Sequence, residues 1–503
     1  MSGKNASPAA ASAAAPSRPS RQAAVRRKRP RGPASALLIL LAVVLVGIYI
    51  PRILPYDFWS DECYSLSLSH MGFREMLAAT AGDNHPPLFY AVLMLMYRLF
   101  GDHGWAYGLA PLIPYAASLL LCATCVRKQF GVASAVCTML CWAFMYNAVI
   151  YNVEIRMYSW AAFFVFASFC LLYVCLHGHS WPAHIALGLC AAMASYCHYY
   201  GFLTAGLMLF GLMVATIIQR KHVLKMVATC VCALIAYLPW LLVLLSSFER
   251  ASGGFWLTHV PSLATCFRFV FQLGRGRLVA LLLLLGFFAL FGFSMYATRK
   301  SARPQGDDRS AALRTWLAIG MFAWLGTILV SFGLSHLVRP VLIVRYLYPA
   351  APIAWIMLSV MAARMFDRPY AAWALAALVA LVGVPSYVQG LSSNLDRYDL
   401  HEQTMRALED EIEPGDEILT DTYALDWTVL STYFPDNANT AFDAENQPEL
   451  MPGTTYWLML KSPSSLPEAN RALAQQGYRA VDAGVEGIVV RYPVNLYRVE
   501  RID

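Results

Sequence analysis

Long apolar runs separated by short polar breaks occupy most of the chain, from about residue 34 to residue 392. The runs 34–50, 278–295 and 371–391 are each close to the ~20 residues that an α-helix needs to cross a bilayer. When the basic breaks are placed on one side of the membrane, the pattern predicts about 11 spans. The chain is therefore predicted to be a polytopic α-helical membrane protein.

The orientation of these spans follows from the positions of Lys and Arg. The basic pairs Arg127–Lys128, Arg220–Lys221 and Arg299–Lys300 fall on the same side as the basic N-terminal tail, which the positive-inside rule places in the cytoplasm. Because the number of spans is odd, the C-terminus is predicted to be extracytoplasmic. This layout predicts a multi-pass protein of the cell (plasma or inner) membrane.

Three regions are predicted to differ from simple spans. Residues 1–33 are rich in Ala, Ser and Pro and are predicted to form a disordered basic tail. Within the first outer loop, residues 55–104, the apolar run 88–100 is too short to cross and is predicted to lie at the interface. After the membrane module 34–392, residues 393–503 have a soluble composition and are predicted to form a small extracytoplasmic α/β domain.

The elements of that last domain can be placed from its turn signals and alternation. Segments 417–420, 456–460 and 487–492 are predicted to be strands, and segments 401–412 and 466–476 are predicted to be helices.

Composition supports a membrane protein and argues against nucleic-acid binding. Of the 503 residues, 58% are hydrophobic and 14% are charged, and the mean hydropathy is +0.50. Soluble domains carry about 25% charged residues. The net charge of +7 lies largely in the tail and in short loops, where it orients the chain. Of the twelve cysteines, Cys63 and Cys266 are predicted to lie outside the hydrocarbon, and the sequence leaves a disulfide between them open.

The adjacent carboxylates Asp61 and Glu62, just outside the first span, are the first candidates for chemistry. Acidic side chains at a membrane surface are costly unless they are solvated, paired or used, so the pair is interpreted as catalytic, with one carboxylate as a general base and its neighbour orienting the substrate or tuning the pair. The alternative is a solvated loop that begins an interfacial helix, because Ser and Asp are good N-cap residues.

A second candidate cluster, Asp83 and His85, precedes Pro86 and Pro87 on the same predicted face. The prolines fix the chain direction before a helix, so the two polar side chains are expected at headgroup level, where they could bind a phosphate. A divalent cation is conceivable here, but two ligands are too few to predict a metal site. A turn with surface polar residues is the alternative.

Further polar residues return to this face later in the chain. Glu154 is interpreted as a third catalytic residue, and the other residues are interpreted as substrate-binding: Arg156, Tyr158, His198, Tyr199, Arg345 and Tyr346. The alternatives are a structural ion pair between Glu154 and Arg156, snorkelling of Arg345, and an aromatic belt at 198–200.

These motifs, in the order DE (61–62), HPPLFY (85–90), EIRMYS (154–159) and RYLYP (345–349), resemble those of the polytopic GT-C glycosyltransferases. The resemblance is to the family 39 type, which includes protein O-mannosyltransferases and the aminoarabinose transferase of lipid A. It implies that Asp61 is the base and that Glu154 matches the second acidic residue. His85 stands where the aminoarabinose enzymes have Lys, and the C-terminal domain lacks the sugar-binding repeats of the protein mannosyltransferases.

The resemblance implies transfer of a sugar from a polyprenyl-phosphate donor to a hydroxyl acceptor at the outer face, with inversion. The expected partners are the lipid-linked donor, membrane lipids, and an acceptor that is a protein, a lipid or a glycan of the cell envelope. A lipid or sugar transporter is an alternative, but it would show repeated halves with broken spans, and neither is apparent. A glycan polymerase or ligase is the nearest alternative enzyme.

Overall fold

The computed structural model describes residues 33–502, apart from residues 56, 84, 179, 251–258, 301–307, 339, 422–424 and 444–445. The predicted tail, residues 1–33, lies outside this part of the chain except for Pro33. In the described part, nine helices are long and apolar enough to cross a membrane: Pro33–Ile53, Gly104–Phe130, Tyr158–His177, Tyr199–Gln219, Val223–Ser246, Arg277–Arg299, Arg309–Leu337, Val344–Ala363 and Tyr370–Glu411.

Two further predicted spans correspond to shorter helices. The third predicted span is broken at Met145, whose backbone is extended, into helices Val132–Phe144 and Tyr146–Tyr151. The fifth corresponds to Trp181–Cys197, which is separated from Tyr199–Gln219 only by His198. The break predicted near His198 is therefore confirmed. His198 has an extended backbone, and its ring Nδ1 accepts a hydrogen bond from the backbone N–H of Tyr200 at 3.0 Å.

Burial separates the helices that face lipid from those at the centre of the bundle. The segment Val344–Ala363 is 94% buried over its apolar window, whereas Val223–Ser246 is only 17% buried. Protein contacts replace lipid around the central segment, where the indole N–H of Trp355 donates to the carbonyl oxygen of Val270 at 2.8 Å. Arg345 and Tyr346 therefore lie at the start of a segment that is packed tightly inside the protein.

The first outer loop folds into three helices, Ser60–His70, Phe73–Gly82 and Leu88–Phe100. The last of these has the predicted bounds, and Pro87 caps its N-terminus. A proline fits there because the first turn of a helix leaves its backbone N–H groups unpaired. Helix Ser60–His70 packs on helix Leu88–Phe100, which brings the DE and HPPLFY motifs into one layer.

The C-terminal region contains a five-stranded sheet of order β2-β1-β3-β5-β4. Its strands are β1 (Glu417–Thr420), β2 (Ala438–Ala441), β3 (Tyr456–Leu460), β4 (Tyr478–Val489) and β5 (Tyr492–Arg501). Strands β2, β1 and β3 are parallel, and β5 runs antiparallel to both β3 and β4. The predicted bounds of β1 and β3 are confirmed, and helix Leu466–Gln475 is one residue shorter than predicted.

Two predictions in this region are only partly right. Segment 487–492 is not one strand: residues 487–489 end β4, Val490 and Arg491 form the turn of the β4–β5 hairpin, and Tyr492 begins β5, with Val490 at a positive φ of 59°. Segment 401–412 is helical as predicted up to Glu411, but it does not start a new helix, because Tyr370–Glu411 is a single helix of 42 residues that continues through the predicted boundary at residue 393. The remaining helical segments are Leu263–Phe271, Val344–Ala350, Ala351–Ala363, Leu425–Val429, Leu430–Tyr433 and Pro463–Ser465.

The predicted fold class is confirmed in its main features. The described part of the chain is a polytopic helical bundle followed by a small domain of sheet and helix. The bundle and the small domain meet at the DE motif.

Candidate active site

Asp61 and Glu62 lie in the first turn of helix Ser60–His70 and point in different directions. Glu62 Oε2 accepts the backbone N–H of Trp59 at 3.3 Å, which caps the helix, and Oε1 accepts the backbone N–H of Ile155 at 2.9 Å. Glu62 thus ties the DE motif to the EIRMYS motif. Asp61 instead faces the RYLYP motif.

Asp61 forms an ion pair with Arg345, in which Oδ2 lies 2.9 Å from a guanidinium nitrogen. The Asp61 side chain is 24% exposed and that of Arg345 is 20% exposed, so the pair is accessible to a ligand at the edge of a packed region. The sequence motifs are nearly the full length of the membrane module apart. Their side chains nevertheless meet.

Arg156 supports Asp61 from within the protein. Its guanidinium donates to the backbone carbonyl of Asp61 and to the hydroxyl of Ser65, both at 2.9 Å, and the residue is 2% exposed. These bonds fix the first turn of the motif helix. The guanidinium of Arg156 thus bonds to the motif helix and not to Glu154, the partner considered from the sequence.

A cluster of buried rings adjoins this ion pair, formed by His85, Tyr158, His198 and Tyr346, which we call the ring cluster. The His198 and Tyr346 ring centroids are 4.8 Å apart, and His85 lies 5.7 Å from His198. His85 Nδ1 lies 3.3 Å from Asp83 Oδ2. Burial lowers the pKa of both histidines, which keeps their imidazole rings neutral.

The ring cluster contains two buried polar atoms without a hydrogen-bond partner among the described residues, His198 Nε2 and the hydroxyl of Tyr158. A buried polar atom without a partner is costly, so such atoms at a site are candidates for ligand contacts. Tyr199 does not join the cluster. It packs with Tyr237 and Trp240 on a different surface.

Glu62 and Glu154 are both buried, at 8% and 7% exposure. Burial, reinforced by the nearby Glu154 and opposed by Arg491, raises the pKa of Glu62 to about 8. Burial also raises the pKa of Glu154, against the effects of Arg491, Arg345 and Arg156. Arg345 interacts electrostatically with both Asp61 and Glu154. The three predicted catalytic carboxyl groups therefore belong to one electrostatic cluster.

Arg491 is a site residue that the sequence reasoning missed. It occupies the β4–β5 turn, and its guanidinium lies 4.8 Å from the ring centroid of Trp59, while that of Arg345 lies 5.5 Å from the same ring. Trp59 immediately precedes helix Ser60–His70. Its ring therefore contacts Arg345 from the bundle and Arg491 from the C-terminal domain. No residue type in segment 487–492 other than Gly487 favours a turn, so local sequence offered little sign of it.

Hydrogen bonds hold the C-terminal domain on the DE motif. The Tyr492 hydroxyl donates to the Ser60 hydroxyl at 3.1 Å, and the Thr428 hydroxyl donates to the Ser60 carbonyl at 3.1 Å. An ion pair joins Arg397 and Asp57 at 2.9 Å. The domain is thus an integral wall of the site.

Metal and disulfide chemistry were both left open by the sequence. Within the described residues, no three or more His, Cys, Asp and Glu side chains group so as to hold a metal ion. Cys63 and Cys266 are both buried free thiols, and Cys63 Sγ contacts the carbonyl oxygen of Phe58 at 3.1 Å.

The chain was compared with protein-family models, curated proteins and solved structures. Residues 84–243 match the family model described as dolichyl-phosphate-mannose-protein mannosyltransferase. A search of curated proteins finds no match.

Solved structures match over nearly the whole chain. Apo ArnT from Cupriavidus metallidurans superposes with a TM-score of 0.59 at 15% identity, covering 92% of this chain and 97% of that one. ArnT from the same organism bound to undecaprenyl phosphate gives 0.57 at 16% identity, with the same coverage. The arabinofuranosyltransferase AftD from Mycobacteria gives 0.52 at 15% identity, covering 93% of this chain and 40% of that one. The predicted GT-C fold is confirmed.

Proposed function

We propose that this protein is a membrane glycosyltransferase that moves a sugar from a polyprenyl-phosphate donor to an acceptor hydroxyl, with Asp61 as the general base. The observation that carries the proposal is the meeting of Asp61 and Arg345 at 2.9 Å in a partly exposed ion pair, beside the buried ring cluster. Such a transfer uses a proton acceptor for the hydroxyl and a cation that offsets the charge on the leaving phosphate, and Asp61 and Arg345 bring one group of each type together.

A lipid-linked donor suits the architecture. Its isoprenoid chain can remain in lipid against the apolar helices, while its phosphate lies at the polar end of the bundle where the motifs converge. The family-model match and the fold shared with ArnT, which has been solved with undecaprenyl phosphate, support this donor class. The nine long apolar helices among the described residues support a multi-pass membrane location. The positions of the basic loops favour an extracytoplasmic C-terminal domain, which is part of the proposal.

The chemistry can be assigned to particular atoms. Arg345 holds Oδ2 of Asp61, so we assign Oδ1 as the atom that accepts the proton of the acceptor hydroxyl. The freed oxygen lone pair attacks the anomeric carbon, the bond from that carbon to the phosphate oxygen breaks, and the configuration inverts. The departing phosphate needs no protonation at neutral pH, and Arg345 offsets its charge.

The other residues assist this step. Arg156 positions Asp61 through the backbone carbonyl, and His85, held by Asp83, supplies a neutral ring beside the donor. Tyr158, Tyr346 and His198 form the wall against which the sugar or phosphate packs, and the unpaired Nε2 of His198 is available for a hydrogen bond.

The test is transfer by the purified full chain, supplied with sugars linked to undecaprenyl or dolichyl phosphate and with membranes from a strain lacking the protein. Release of polyprenyl phosphate and labelling of membrane glycans are measured by mass spectrometry. Asp61→Asn should lower transfer by roughly 10²–10⁴-fold, the usual contribution of a general base. The control is Asp102→Asn, because the Asp102 side chain is 53% exposed on the same outer loop. Full activity of Asp61→Asn would exclude Asp61 as the base.

A further inference from the structure

Glu62 and Glu154 line a large polar cavity whose lining residues do not include those of the ring cluster. Its volume is about 500 Å³, and it extends from the end of the first span to the β4–β5 turn. Four arginines line it: Arg52, Arg275, Arg397 and Arg491. Three carboxyl groups also line it: Asp57, Glu62 and Glu154.

The charges in this cavity do not balance. Asp57 is neutralised by Arg397 at 2.9 Å. The other two carboxyl groups, Glu62 and Glu154, are buried side by side, and burial raises the pKa of each, so at neutral pH Glu62 is largely protonated. The remaining three guanidinium groups, those of Arg52, Arg275 and Arg491, therefore face little more than the one negative charge that Glu154 can carry.

Arg52 shows the imbalance most clearly. Its Nε is buried and has no hydrogen-bond partner among the described residues, and the contact made by its guanidinium is with the ring of Tyr387, 5.9 Å from the centroid. Asp57 is the carboxylate that interacts electrostatically with Arg52, but it is already ion-paired with Arg397, so a bound anion would supply the negative charge that Arg52 lacks. Arginine is also the side chain best suited to bind a phosphate or carboxylate through two parallel hydrogen bonds.

The cavity is next to the proposed base. Glu154 lines it and also interacts electrostatically with Asp61, and Arg491 lies in the cavity wall while contacting Trp59, the residue that precedes the motif helix. A molecule that fills the cavity would therefore lie close to Asp61, against a wall separate from the ring cluster.

We propose that this cavity is the acceptor subsite and that it selects an acceptor carrying a phosphate or carboxylate close to the hydroxyl that receives the sugar. Arg52, Arg275 and Arg491 bind the anion, and Glu62 and Glu154 hydrogen-bond its neighbouring hydroxyl groups. The role as acceptor subsite rests on the proposed function, whereas anion binding by the cavity does not.

The experiment therefore measures anion binding without any sugar transfer. The purified full chain is titrated in detergent with sodium phosphate and, separately, with sodium acetate, against sodium chloride at equal ionic strength. Affinity is obtained from the shift of the unfolding temperature. Arg52→Gln combined with Arg275→Gln should weaken phosphate binding at least ~10-fold, the loss expected for one charge-assisted bond. If the double variant folds poorly, Arg275→Gln alone replaces it in the experiment, because Arg275 is exposed and its substitution should not disturb folding. This single variant should also weaken phosphate binding.

Two controls separate the alternatives. Arg406→Gln removes an arginine whose side chain is 74% exposed and which lies near the C-terminal end of helix Tyr370–Glu411. This variant should bind phosphate like the wild type. Arg345→Gln reports on phosphate bound at the Asp61 ion pair instead of in the cavity. A stronger response to phosphate places a phosphate on the acceptor, and a stronger response to acetate places a carboxylate there.

The proposal is overturned if the wild type responds to neither anion more than to chloride, or if phosphate binding survives in the Arg52 and Arg275 variants and is lost only in Arg345→Gln. A wild type that binds phosphate through the cavity but transfers no sugar from any polyprenyl-phosphate donor would retain the anion site and reject the proposed function. The two failures are thus distinguishable.

Discussion

The buried carboxyl group of Glu62 should make the stability of this protein depend on pH. The pKa of Glu62 rises from an ordinary value of 4.5 to about 8 on folding, because the group is buried and lies beside Glu154. Between these two values the unfolded chain releases the Glu62 proton and the folded chain keeps it. Folding stability is therefore fully present below the lower pKa and is lost as the pH rises, by about 1.4 kcal/mol per pH unit, up to the higher pKa.

The substitution Glu62→Gln removes this titration while retaining the shape of the side chain. The amide oxygen can still accept the Ile155 N–H, but the amide nitrogen cannot accept the Trp59 N–H, which costs about 1 kcal/mol. The wild-type carboxyl group costs roughly 3 kcal/mol at neutral pH relative to low pH. Glu62→Gln should therefore be slightly less stable than the wild type near pH 5 and more stable, by about 2 kcal/mol, near pH 7.

The assay is denaturant unfolding of the purified protein in detergent micelles, repeated at each pH unit from about 5 to 8. The measured quantity is the difference in free energy of unfolding between variant and wild type. Glu402→Gln is the control, because the Glu402 side chain is 48% exposed and pairs on the surface with Arg406 at 3.2 Å. Curves for Glu62→Gln and wild type that stay parallel across this range would refute the assignment of a protonated Glu62 near neutral pH.

Two other substitutions test the supports of the site. Gly201→Ala would press a Cβ atom against the backbone oxygen of Ala194, so we expect a loss of about 1–3 kcal/mol in unfolding free energy. Gly206→Ala on the same helix meets nothing within 4 Å and should be neutral or stabilising. Equal stability of the two alanine variants in a thermal unfolding assay would contradict this packing. Tyr492→Phe removes the hydrogen bond to Ser60 and should lower stability by about 1 kcal/mol, with a larger relative loss in transfer than in donor binding; unchanged transfer would argue against a catalytic role for the docked domain.

The sequence predicted the features that depend on local composition. Apolar length determined the spans, and the polar break at His198 marked the junction between Trp181–Cys197 and Tyr199–Gln219. Strands β1 and β3 were found because short apolar runs between turn signals are a strong local pattern. The four site motifs could be identified because charged residues are rare within the long apolar segments.

Contacts between distant segments were not predictable in the same way. Nothing near Asp61 in the sequence indicates that its partner is Arg345, and nothing near Glu62 indicates the backbone N–H of Ile155. These pairings depend on how the helices pack. Arg491 was missed for a local reason as well, because the β4–β5 turn uses Val490 at positive φ, a conformation that β-branched residues rarely adopt.

The uninterrupted helix Tyr370–Glu411 fixes the orientation of the C-terminal domain about the helix axis relative to the bundle. Its 42 residues correspond to roughly 63 Å of helix, beginning in the apolar region and ending one turn before β1. Adding one residue to such a helix turns everything beyond it by about 100° and advances it by about 1.5 Å. The distance between Arg491 and Trp59 therefore depends on the number of residues in this helix. An insertion or deletion in the helix would separate the two residues even if the C-terminal domain kept its own fold.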